Sequence, residues 1–164
     1  MIRRKRMHEK WMYEATVKML DIEKGLVLCE VPCGIRRYLR AISQGVERSV
    51  ARLMMIKRAD MIVVPDISVV PVLQFKPEGI YFEMFMNPNK RWKINLRQKR
   101  IWLIEIKRVL SENVLGQILL YEKLLKEDWE CIIERKIAVG EKIDYYATEL
   151  LSEYGIEVYR LVKT

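Results

Sequence analysis

Residues 101–107 read Ile-Trp-Leu-Ile-Glu-Ile-Lys, and this stretch decides the architecture. Its near-continuous apolar run, rich in β-branched residues, predicts a strand buried on both faces. In an extended chain, side chains two apart share a face. Glu105 and Lys107 therefore project together, while Ile104 and Ile106 point the other way. Working outward, Ser111 offers an N-cap for a helix over 112–126. The tail predicts a strand over 131–139, a helix over 143–154 stopped by Gly155, and a strand over 156–161. Upstream, the β-branched run 57–64 is entered through Asp60 and ended by Pro65-Asp66. Residues 80–86 and 91–96, around Asn87-Pro88-Asn89, predict a basic β-hairpin. At the start, Met7, Trp11, Ala15, Met19 and Ile22 recur at helical spacing over 6–23, and a strand over 26–31 is closed by Pro32 and Gly34. Periodicity leaves 35–56 open between two strands flanking Gly45 and a helix. This alternation predicts an α/β mixed sheet flanked by helices.

Composition bounds the chemistry. The 164 residues suit one domain, 1–164, with 66–100 as an insertion. No stretch is long and apolar enough for a membrane helix, so a soluble protein with no membrane partner is expected. Three cysteines without a secretory signal predict a reducing, cytoplasmic location rather than a disulfide scaffold. His8 is the only histidine, which argues against a histidine-rich zinc site or a histidine-paired nucleophile. Catalysis would fall to carboxylates and lysines. Residues 1–110 hold 23 basic and 11 acidic side chains, whereas 111–164 hold 7 and 11. The basic clusters are Arg3 to Arg6; Arg36, Arg37 and Arg40 around Tyr38; and Lys90, Arg91, Lys93, Arg97, Lys99 and Arg100 around Trp92. Three such clusters, two with an aromatic for stacking, suit a nucleic acid more than a merely solvated face. Arg36, Arg37, Lys90, Arg91, Trp92, Lys93 and Arg97 are the candidate contacts.

A carboxylate and an amine side by side on a rigid strand suit metal-assisted phosphodiester chemistry. Asp60 would supply a second carboxylate if its strand neighbours that of Glu105. Glu-x-Lys alone is a weak pattern, since strand faces often pair acid with base. Its context is Gln117 and Tyr121, four apart on the helix that follows, where one face can lie over the carboxylates.

Arg58-Ala59-Asp60 before a β-branched run, then Glu105-Ile106-Lys107, then Gln-x-x-x-Tyr, resembles the PD-(D/E)xK nuclease superfamily with its restriction-endonuclease-like fold. It is most similar to the small archaeal and archaeal-virus members, which share the fold with Holliday-junction resolvases. The resemblance implies a Mg²⁺-dependent deoxyribonuclease of low sequence specificity, Mn²⁺ substituting, acting on DNA in repair, recombination or viral replication. In a virus its location would be the host cytoplasm. Asp60, Glu105 and the carbonyl of Ile106 would hold the metal, Lys107 would be the catalytic lysine, and Gln117 and Tyr121 auxiliary residues. A first-helix glutamate, Glu9 in preference to Glu14, would join the site. Glu30 is a further candidate, although it reads more simply as a solvent-facing strand residue. Relatives commonly pair, so a homodimer is expected. The form Arg-Ala-Asp favours Asp60 over the literal Pro-Asp at Asp66. Alternatives are a DNA-binding module of this fold without turnover, or a subunit whose basic insertion docks an acidic partner.

Overall fold

The computed structural model describes residues 10–23, 25–67, 73–75 and 95–163. Its elements run α1 (Lys10–Met19), β1 (Leu26–Cys33), α2 (Ile35–Ser43), α3 (Arg48–Met55), β2 (Lys57–Val64), β3 (Leu73–Phe75), β4 (Arg100–Leu110), α4 (Asn113–Trp129), β5 (Ile132–Ile143), α5 (Ala147–Glu153) and β6 (Ile156–Arg160). The six strands form one mixed sheet in the order β3-β1-β2-β4-β5-β6. β2 runs antiparallel to both neighbours, and the βαβ units β4-α4-β5 and β5-α5-β6 are parallel, as crossover helices require.

Each face of the sheet is covered. Met12 and Tyr13 of α1 pack with Val27, Met61, Ile104, Ile106 and Val139 on one side. Val114 and Ile118 of α4 and Leu151 of α5 pack with Ile62, Leu103 and Ala138 on the other. β4 is thus buried on both faces, as its apolar run predicts.

Three sequence expectations change, and one span left open, 35–56, is decided. β1 continues through Pro32 to Cys33. Only residues 27–29 of β1 pair with β3, so Pro32 lies where one side of β1 has no described strand partner and a missing N–H costs little. Residues 35–56 form two short helices, not strands. The Ser111 side chain makes no capping bond to α4; its carbonyl accepts from Val114 N–H instead. α5 starts at Ala147, not 143, because β5 stays paired with β4 as far as Leu110 and Ile143. Asn95 and Leu96 lie outside any strand, and the rest of the expected hairpin falls outside the described residues, as do Arg3 to Arg6, His8 and Glu9.

One buried carboxylate sets the position of α2. Asp128, near the end of α4, accepts main-chain N–H bonds from Gly34 (2.8 Å), Ile35 (3.1 Å) and Arg36 (3.0 Å), which a helix N-terminus otherwise leaves without partners. Burial pushes the Asp128 carboxyl above its ordinary value, and the three N–H bonds oppose that shift. Gly34 takes φ 88°, and a Cβ there would stand 2.1 Å from the carbonyl oxygen of Met55. Asp128→Ala should cost about 2–3 kcal/mol in urea unfolding, since it strands buried N–H groups. Gly34→Ala should cost at least as much, because the obstacle is backbone.

Candidate active site

Asp60 and Glu105 are 45 positions apart in sequence and lie on neighbouring strands. The antiparallel register Met61 to Ile104 places them opposite one another, one step beyond the last ladder pair. There the carboxylates take the place of the ladder. Asp60 N–H donates to Glu105 Oε1 at 2.9 Å, and Ile106 N–H donates to Asp60 Oδ2 at 2.8 Å. Asp60 is 2% exposed and Glu105 1%. Two carboxylates so placed need compensation, and the second oxygen of Glu105 has Lys107 Nζ at 3.6 Å. Lys107 is 31% exposed, so its ammonium reaches from the buried acids to the surface.

A local break in alternation brings the acids here. Ala59 packs on the α4 side, and so do Ile62 and Val64, while Met61 and Val63 pack on the α1 side. Residues 59 and 61 should share a face in a regular strand, so β2 loses one step at Asp60. β1 makes the same slip alongside: Cys29 faces α1 and Val31 faces α4, with Glu30 between them at φ 55°. The register passes from Cys29–Met61 to Val31–Ala59, leaving Glu30 and Asp60 out of the ladder side by side. Such paired irregularities re-aim side chains.

Glu30 is therefore not the solvent-facing residue its sequence suggests. It accepts a short hydrogen bond from the Tyr13 hydroxyl, lies 3.9 Å from Arg58, and its side chain is 15% exposed. The linear pattern offered it only as a further candidate and favoured a solvent-facing reading, because a positive φ at a glutamate has no sequence signature. Glu14 is exposed on α1.

Of the two residues expected on α4, Tyr121 comes close enough to Glu105 to feel its charge. Glu105 lies on the α4 side, and Tyr121 packs into that face's apolar cluster. The Tyr121 phenol is pushed up, first by burial, then by the charges of Glu105, Cys33 and Glu30, so it stays a proton donor at neutral pH. Gln117 Oε1 is buried without a hydrogen-bond partner. The thiol of Cys33, close enough to feel Glu105, is also pushed up, by burial first and then by Asp128 and Glu105. It is therefore no nucleophile.

Asp66 is elsewhere: it accepts from Arg100 Nη2 at 2.7 Å at the start of β4, and that guanidinium holds its carboxyl below the usual range. The structure thus gathers Asp60, Glu105, Ile106 and Lys107, and leaves Asp66 aside. Of the expected nucleic-acid contacts, Arg36 is exposed, Arg37 is held at 2.8 Å by both oxygens of Glu127, and Arg97 lies 3.3 Å from Glu130. Lys90, Arg91, Trp92 and Lys93 lie outside the described residues.

Among the described residues no three or more His, Cys, Asp or Glu side chains group around a metal position. The available set is two carboxylates and the Ile106 carbonyl. All are hard oxygen donors, which fits an ion such as Mg²⁺ that retains much of its water. No family model, curated protein or solved structure matches this chain. Glu105→Gln, which keeps an acceptor oxygen for Asp60 N–H, should change stability by less than about 1 kcal/mol. Glu105→Ala should lose about 2 kcal/mol or more in the same urea titration.

Proposed function

We propose that this chain is a Mg²⁺-dependent deoxyribonuclease of the PD-(D/E)xK type, cutting phosphodiester bonds with little base reading. The observation that carries the reading is the convergence of Asp60, Glu105 and Lys107 from two strands, with Tyr121 of α4 close enough to feel the Glu105 charge. Asp60, Glu105 and the Ile106 carbonyl would hold the ion, which when bound supplies an activated water and offsets phosphoryl charge. Lys107 would then turn its ammonium from Glu105 toward the attacking water or the phosphate oxygens. Tyr121, kept protonated, would donate a hydrogen bond at the site, and Gln117 would offer its unpartnered oxygen. The basic surface would hold the backbone, and a second copy of the chain would present the second strand.

A binding module without turnover is the second reading. Both acids are almost fully buried and already accept main-chain N–H bonds, which is also the arrangement of a purely structural clamp.

Labelled linear, branched and single-stranded DNA incubated with Mg²⁺, Mn²⁺ or chelator separates the two. Metal-dependent cleavage is expected, falling at least about 100-fold in Asp60→Asn, Glu105→Gln and Lys107→Ala. Binding that never leads to metal-dependent cuts would establish the module instead.

A further inference from the structure

A groove of about 610 Å³ lies between α2, α3 and the start of β2, lined by Tyr38, Arg48, Ser49, Arg52, Leu53, Ile56, Lys57 and Arg58. Half of its lining residues are cationic. Among the described residues, Glu47 accepts from Ser49 Oγ at 2.5 Å and Glu30 lies 3.9 Å from Arg58. Between the cations the wall is apolar. Leu53 is 79% exposed, and Ile56 and the buried Tyr38 lie beside it.

The groove shares a strand with the candidate active site. Lys57 and Arg58 are the first two residues of β2, and Asp60 follows two residues later in the same strand. At strand rise, Lys57 and Asp60 are roughly 10 Å apart. Lys57 also pairs with Cys33, whose thiol feels the Glu105 charge.

From this we infer that the α2–α3–β2 groove binds single-stranded nucleic acid, with Arg48, Arg52, Lys57 and Arg58 on successive phosphates and Leu53 and Ile56 against unpaired bases. The inference rests on the nuclease reading only for the strand's destination, the Asp60–Glu105 site. A duplex keeps its base faces stacked inside a convex rod, so a concave wall alternating cation and hydrocarbon matches a single strand better. Exposed Val50, Leu53 and Met54 beside arginines also suit an anionic membrane surface. A lipid head group, however, would have no use for cations arranged inside a groove that shares a strand with buried carboxylates.

The test is fluorescence anisotropy of a labelled oligothymidylate single strand in chelator, where no cutting interferes, across a salt series. Arg48→Glu/Lys57→Glu alters two exposed residues. It should weaken binding at least about tenfold and flatten the salt slope by about 1.4, two contacts at about 0.7 each, with urea unfolding unchanged. Leu53→Asp should weaken single-strand binding with little effect on duplex. Arg52→Ala, a smaller change, should weaken it in the same direction and serves if the double variant folds poorly. Unaltered single-strand binding in these folded variants overturns the inference, as does equal loss for duplex and single strand. Binding to phosphatidylserine vesicles but not to oligothymidylate does so too. Wild-type protein that binds through the groove yet never cuts would remove the nuclease reading and leave the groove standing. Cutting by a groove variant with normal affinity would do the reverse.

Discussion

At one level of the sheet the strands β2 and β4 are joined by side chains instead of by backbone. Two carboxylates each accept a main-chain N–H where the ladder has stopped, so the sheet loses its usual bonds there without losing its continuity. The substitution has a cost. Two nearly buried acids face one another, with an ammonium as the nearest described compensating charge. A fold that needed only to hold two strands together would use ordinary pairing at this point. Concentrating negative charge in a low-dielectric position suits a cation, which is the use proposed for these acids above.

The matched slips in β1 and β2 belong to the same construction. A lone bulge would bend one strand and leave its neighbour behind. Here Glu30 and Asp60 leave the ladder together, so both apolar faces resume in register on either side and the core stays closed. The irregularity is confined to one row, and that row carries the acids.

Much of this row was legible in the linear chain. Alternation about Ile104 and Ile106 placed Glu105 and Lys107 on one face, and a spacing of four placed Gln117 and Tyr121 on the helix above it. Asp60 was separable from Asp66 only by form, and the structure parts them through Arg100, which engages Asp66. Glu30 was favoured as a solvent-facing residue and Asp128 was not singled out at all, for different reasons. The first depends on a backbone angle that its residue type does not announce. The second acts on amides more than ninety positions away, and no local pattern encodes a partner at that distance. Residues 35–56 resisted reading because the two helices are only nine and eight residues long, too few turns to establish a period by themselves.

The tie from Asp128 to the amides of Gly34, Ile35 and Arg36 bears on synthesis. A nascent chain whose first hundred residues have left the ribosome already contains every cation of the groove, but not the carboxylate that anchors the first turn of α2. The basic groove is therefore finished only after most of the polypeptide has emerged. A truncated translation product would carry the charges without the shape that directs them.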